Sequence, residues 1–211
     1  MVFKRQFRKL RPFYASYRFL RNQLLLLEWK LKDHPVPPPS QFKQSCVLKY
    51  RKAHNLSVLV ETGTYLGEMI TATYSEFADI FSIELNDDLY QRACALFANF
   101  PKVHLMHGDS ASVLRVLLQQ ITQPCLFWLD AHNIGTGTAR GIQETPILLE
   151  LECILSHPVK SHVILVDDAR LFDGNNGYPA FVTLRQFVEE RRPDYSVTVA
   201  DDIIRIHRLQ I

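Results

Sequence analysis

The chain predicts an α/β fold: a mixed sheet of seven strands with helices on both faces, a C-terminal antiparallel hairpin, and a basic helix in front. Three observations predict it. Short apolar runs alternate with longer amphipathic segments five times between residues 56 and 191, and parallel neighbours need such crossovers. The last two apolar runs are separated only by the turn residues Asp201 and Asp202 and so must pair antiparallel. The run Pro35-Val36-Pro37-Pro38-Pro39-Ser40 cuts off everything before it, because each proline removes a donor and blocks the preceding turn.

Before the prolines, a helix is expected from about Pro12 to Leu31. Phe13, Tyr17, Leu20, Leu24, Leu27 and Leu31 step by four and three, the spacing of one helical stripe. Three occupants suit that stripe: the body of the same chain, a second copy, or an anionic membrane surface. Residues 1–34 hold nine Lys and Arg against Glu28 and Asp33, a surplus of +7, so with a total of +2 the remainder is near −5. This divides the chain into a basic arm with its linker, 1–39, and a body, 40–211. The positive charge sits on the arm and not in the body, so a nucleic-acid partner is not expected.

In the body, Leu56–Val60 reads as the first strand, ending at Glu61, with a glycine-containing turn and a helix to about Phe77. Ile80–Ile83 ends at Glu84 and leads to a helix over Asp87–Ala98. Val103–Met106 precedes a helix near Ser110–Gln120. Leu126–Leu129 ends at Asp130, followed by a Gly/Thr-rich loop and a helix near Thr145–Leu155. Val163–Val166 ends at Asp167 and leads to a helix near Ala180–Arg191. Tyr195–Val199 and Ile203–Arg208 form the hairpin.

A chain of 211 residues can bury one substantial core without disulfide staples. Cys46, Cys94, Cys125 and Cys153 form no CxxC pair, which suits a reducing compartment. No apolar run reaches the roughly 18–20 residues of a membrane span, and the N-terminus lacks a signal-peptide layout. A cytoplasmic location is expected, with at most peripheral membrane contact.

In an open α/β sheet, ligands sit beyond the carboxyl ends of the strands. Four of these ends carry an acid: Glu61, Glu84, Asp130 and Asp167. The first turn reads ETGTYLG, with Gly63 and Gly67 where missing Cβ atoms let a ligand approach backbone amides. A dinucleotide turn would have glycine at the position of Glu61. An acid there repels a pyrophosphate and suits a ligand bringing positive charge, such as the amino group and sulfonium of S-adenosylmethionine. Glu84 follows at the distance from which an acid accepts ribose hydroxyls. Asp109, in HGDS, is placed to meet the adenine amino group or to cap the next helix, and the two roles do not exclude each other.

The ETGTYLG turn, the SIEL acid and the HGDS segment resemble the first three motifs of class I S-adenosylmethionine-dependent methyltransferases, in order, from about residue 40 to the C-terminus. The resemblance implies a Rossmann-like sheet and cofactor contacts from Glu61, Gly63, Thr64, Tyr65, Gly67, Glu84, Asp109 and Ser110. The fourth and fifth strands, ending LFWLDAHN and VILVDDAR, resemble metal-dependent O-methyltransferases of the catechol and natural-product sugar types. That likeness implies a divalent cation on Asp130, Asp167 and Asp168. Hard oxygen donors suit Mg²⁺, and a cation there would favour the ionised form of an alcohol acceptor.

His132, two positions after Asp130, is the base candidate, with Asp130 beside it in the reacting set. It departs from the family pattern: the catechol type has a lysine three positions after the acid, where Asn133 stands here, and some sugar-modifying relatives have histidine at that place. His132 as metal ligand or substrate contact stays open. The glycines of IGTGTARGIQ suit a loop over a cleft, with Arg140 toward an anionic acceptor. The sequence thus predicts a methyltransferase acting on a hydroxyl of a small molecule such as a sugar, with Mg²⁺. The alternatives are a metal-independent enzyme of the same fold or a non-catalytic scaffold. A nicotinamide-dependent oxidoreductase is disfavoured by Glu61.

Overall fold

The computed structural model describes residues 21, 23–130 and 146–209. Five apolar runs become strands: β1 (Val58–Thr62), β2 (Asp79–Glu84), β3 (Val103–His107), β4 (Cys125–Leu129) and β5 (Val163–Val166). The hairpin is β6 (Tyr195–Ala200) and β7 (Ile203–Arg208). The helices are α1 (23–31 of the described residues), α2 (Ser40–Ala53), α3 (Glu68–Thr73), α4 (Asp87–Phe97), α5 (Ser110–Leu117), α6 (Ile147–Ser156) and α7 (Phe181–Arg191).

All seven strands form one sheet, in the order β3-β2-β1-β4-β5-β7-β6. The β1 to β5 neighbours run parallel, and β7 pairs antiparallel with both β5 and β6. The hairpin is therefore folded back, with its second strand innermost. The chain leaves β1 towards β2 and β3, then returns to β4 on the other side of β1. That reversal opens a crevice at the carboxyl ends of β1 and β4, the place where such sheets take ligands.

Side-chain alternation splits the core into two layers. Val60, Phe127, Leu129, Ile164 and Ile206 pack with Leu114 of α5, Leu151 and Ile154 of α6, and Leu184 of α7. Leu59, Ile80, Leu126, Trp128 and Leu165 pack with Val47 of α2, Ile70 of α3 and Phe97 of α4. Strands β1, β4 and β5 are buried along their whole length, as strands covered by helices on both faces must be. Truncating one of these residues, for example Leu126→Ala, costs about 2–5 kcal/mol.

Three expectations are corrected. Helix α2, just after the prolines, was not expected: its residues are mostly polar and only Cys46 and Val47 are buried, so its apolar period is faint. Helix α3 stops at Thr73, short of Phe77, where the Thr71 and Thr73 hydroxyls donate back to the carbonyls of Gly67 and Met69 at 2.8 Å. The helix expected to Gln120 tightens into a 3₁₀ turn over Leu118–Gln120.

The leucine stripe is not what holds α1. Leu24, Leu27 and Leu31 are 65, 54 and 79% exposed, whereas Trp29 is buried. The Trp29 ring lies 4.5 Å from that of Phe42, and its Nε1 donates to the Pro35 carbonyl at 2.7 Å. Phe13, Tyr17 and Leu20 lie outside the described residues. Among the described residues, no helix is long and apolar enough to cross a membrane.

Candidate active site

Strand register sets the rim. Glu61 is level with Ser82 of β2 and Trp128 of β4, Glu84 is level with His107, and Leu129 is level with Val166. Glu61, Glu84, Asp130 and Asp167 consequently come to one edge. The ladder continues past the strand ends: the Asp130 amide donates to the Thr62 carbonyl and the Asp167 amide to the Leu129 carbonyl, each at 3.0 Å.

On the β1 side, Glu61 is buried and accepts the Ser82 hydroxyl at 2.6 Å. Ser82 has then given up its only proton, so the Thr64 hydroxyl, 2.7 Å away, donates to it. Burial pushes the Glu61 carboxyl up to about 8, against the Ser82 bond and with help from Asp130 and Glu84. Glu84 holds the turn itself. Its two oxygens accept the Tyr65 amide at 2.8 Å and the Asn86 amide at 2.9 Å. Tyr65 has a left-handed φ of 47°, and its side chain projects into solvent.

Gly63 and Gly67 also have positive φ. At Gly67 a Cβ would come within 2.5 Å of the Phe97 ring, so close packing against α4 demands glycine there besides any ligand. Asp109 is the N-cap of α5 and accepts the Ser112 amide at 2.9 Å, and Ser110 is buried behind it.

Glu150, in the first turn of α6, was not singled out by the sequence. It is almost fully buried, and burial pushes it up to about 7 against the pull of the Ser110 and Thr62 hydroxyls. Those hydroxyls are close enough to favour its charged form. Yet Glu150 Oε1 and Thr62 Oγ1 have no well-formed hydrogen bond among the described residues.

On the β4–β5 side, Asp130, Asp167 and Asp168 bring one carboxylate oxygen each within 4.8 Å of one another. Asp168 has φ 54°, a left-handed backbone fixed by its amide donating to Asp167 Oδ1 at 2.8 Å. Its side chain caps no helix, so helix capping does not account for it. Burial, then Asp130, push Asp167 up to about 7 against the pull of Lys43.

Lys43 was not foreseen. From the first turn of α2 its Nζ reaches Asp167 Oδ2 at 2.5 Å and Asp168 Oδ1 at 3.3 Å. Burial draws this ammonium down, but the three carboxylates outweigh it and the net shift is upward. Arg170 donates to Asp168 Oδ1 at 2.7 Å and is also paired with Asp202. His132 and Arg140 lie outside the described residues.

The three acids offer only hard oxygen donors and already attract a cation, the chain's own Lys43. They fit a divalent ion of the Mg²⁺ class once that ammonium has moved away.

No protein-family model matches the chain, and no curated protein matches it in sequence. Solved structures do match in fold. An O-methyltransferase from Bacillus cereus, in complex with S-adenosylhomocysteine, is 14% identical over 89% of this chain and 90% of that one, with a TM-score of 0.60. The O-methyltransferase TomG from Streptomyces achromogenes, involved in tomaymycin synthesis and in complex with S-adenosylmethionine, is 16% identical over 88% and 86%, with a TM-score of 0.54. The N-methyltransferase NodS from Bradyrhizobium japonicum is 12% identical over 83% and 99%, with a TM-score of 0.52. The chain thus has the class I methyltransferase fold, which occurs with both oxygen and nitrogen acceptors.

Proposed function

We propose that the chain is an S-adenosylmethionine-dependent methyltransferase that methylates a hydroxyl of a small molecule such as a sugar, aided by a divalent cation. One observation carries this reading: two sets of acids, Glu61 with Glu84 and Asp130 with Asp167 and Asp168, meet at the switch point of one sheet. The O-methyltransferases among the structural neighbours support it.

In this reading Glu61, Gly63, Thr64, Tyr65, Gly67, Glu84, Asp109 and Ser110 form the cofactor side. Glu61 meets the positive end of S-adenosylmethionine, and the Glu84-held turn lies along the ribose. The cofactor supplies an electrophilic methyl group. Asp130, Asp167 and Asp168 would hold Mg²⁺, which supplies Lewis acidity at the acceptor hydroxyl. His132 is the proposed base, taking the hydroxyl proton as the acceptor attacks. Holding acceptor and methyl group in line removes on the order of 7–11 kcal/mol of barrier, the larger share of the catalysis.

Methyl transfer from labelled cofactor to a panel of sugar hydroxyls, before and after rigorous chelation, tests the proposal. Loss on chelation and recovery with Mg²⁺ are expected. Undiminished turnover after chelation would reject the cation and leave the metal-independent enzyme, a reading favoured by the existing pairing of Asp167 and Asp168 with Lys43 and Arg170. A non-catalytic scaffold would bind no cofactor in calorimetry.

For the basic arm we propose an external partner, an anionic membrane surface or a second copy, because Leu24, Leu27 and Leu31 are exposed beside Lys30 and Lys32. Four free cysteines support a reducing, cytoplasmic location.

A further inference from the structure

Lys43 reaches the acidic rim from outside the strand ends that build it. It lies on α2, which packs on α3 and β4, and 124 positions separate it from Asp167. Its side chain is 17% exposed, against 1% for Asp167 and 6% for Asp168. The ammonium is a hard monocation set on the carboxylate oxygens that a divalent ion would need. Two cations a few ångströms apart in a half-buried site repel strongly, so the ammonium and a divalent ion cannot share those oxygens.

Among the described residues, the two basic side chains at this rim differ in how far they can leave. Arg170 is tied down twice to Asp202, through its guanidinium and through its backbone amide, which donates to Asp202 Oδ1 at 2.8 Å. Lys43 sits on a flexible four-carbon stem, open to solvent at one side, and its Nζ has hydrogen bonds only to Asp167 and Asp168 among the described residues. Of the two, Lys43 is the exchangeable cation.

We propose that Lys43 is a tethered counter-cation that holds the acidic rim together in the metal-free protein and must be displaced for a divalent ion to bind. Its ion pair then sets the metal affinity. This rests on the reading of Asp130, Asp167 and Asp168 as ligands. The device selects for doubly charged hard ions, since a monovalent ion gains no more from the carboxylates than the ammonium it replaces.

The test is calorimetric titration of Mn²⁺ into metal-stripped wild type, Lys43→Gln and Lys43→Arg. Lys43→Gln is expected to bind at least about tenfold more tightly than wild type, because no ion pair has to be broken first. Lys43→Arg keeps the charge and is expected to stay within about threefold of wild type. A second readout needs no variant: in wild type, saturating Mn²⁺ frees the ammonium and raises labelling of Lys43 by an amine-reactive ester severalfold, read by mass spectrometry. Equal affinity in wild type and Lys43→Gln, or labelling unchanged by bound Mn²⁺, overturns the proposal while leaving the metal site standing. Absence of Mn²⁺ binding in all three proteins overturns the metal reading itself, and the proposal with it.

Discussion

On the β1–β2 half of the rim, Glu61 and Glu84 are met by neutral donors: the Ser82 hydroxyl on one, the Tyr65 and Asn86 amides on the other. On the β4–β5 half, Asp167 and Asp168 are met by the Lys43 ammonium and the Arg170 guanidinium. A buried carboxylate needs hydrogen bonds or an opposite charge; the β1–β2 half uses neutral donors, and the β4–β5 half adds ionic partners to the Asp168 amide on Asp167. Neutral donors bring no opposite charge to Glu61 or Glu84, and burial keeps the proton on Glu61 up to about pH 8. On the other half the ionic partners bring opposite charge directly to the carboxylates. The two halves are therefore suited to different guests, although both are built from acids at strand ends.

The largest expected effect separates the halves outright. Asp167→Ala should lower methyl transfer on the order of 100–1,000-fold, the loss typical of removing one electrostatic support of a transition state. Cofactor affinity should stay within about threefold of wild type, since among the described residues the hydrogen bonds of Asp167 go to Lys43, Asp168 and Leu129 and not to Glu61 or Glu84. Parallel turnover and calorimetric measurements check this, and a comparable loss in both would merge the two halves into one site.

Glu84→Gln is the converse. Removing the charge that holds the Tyr65 turn should weaken S-adenosylmethionine binding about 10–100-fold, a cost of about 1.4–2.8 kcal/mol, with Mn²⁺ affinity unchanged.

Protonation sharpens the contrast. Glu61, raised by burial to about 8, binds its proton more tightly in the fold than in the unfolded chain. The stability it contributes is fully present below its unfolded value of about 4.5 and is lost as pH rises to about 8. Without ligand, the protein should lose on the order of 2–4 kcal/mol across that window. Melting curves of Glu61→Gln should lack this part of the slope, and an identical slope in the variant would contradict the assignment.

The opposite end of the sheet supplies a contrasting acid-side effect. His162 is buried and lowered to about 4, chiefly by burial and then by His157 and Arg192. It accepts the Cys125 amide at 3.0 Å and lies 2.9 Å from the His157 ring, which bonds the Leu118 carbonyl. His162 thereby contributes stability above about pH 6.5 that is lost as pH falls towards about 4. His162→Gln should flatten the acid limb and leave the alkaline limb to Glu61.

The smallest expected effect is at Asp109. As an N-cap, Asp109→Ala should cost about 1 kcal/mol in urea unfolding. A cofactor affinity unchanged within that variant would reduce Asp109 to a cap.

The strand ends were legible because burial on both faces makes β1, β4 and β5 unbroken apolar runs that stop at an acid. Seven strands, the parallel order and the antiparallel end follow from alternation and turn residues, with boundaries displaced by one or two positions at β1, β2, β3, β4 and β6. Lys43 was illegible for a physical reason. Its helix is weakly amphipathic, and its partners lie 124 and 125 positions away, a distance no local period encodes. Glu150 sits inside a foreseen helix, but only packing reveals that the helix buries it. Gly67 looked like a ligand glycine, while its contact with Phe97 needs the fold to be seen.

Calorimetric titration of S-adenosylmethionine into wild type, Glu84→Gln and Asp167→Ala probes most directly whether acids at one rim grip a cationic nucleoside on one half only. Saturable one-to-one binding in wild type, retained in Asp167→Ala and weakened at least about tenfold in Glu84→Gln, is the expected result. No heat of binding in wild type at millimolar cofactor would contradict it.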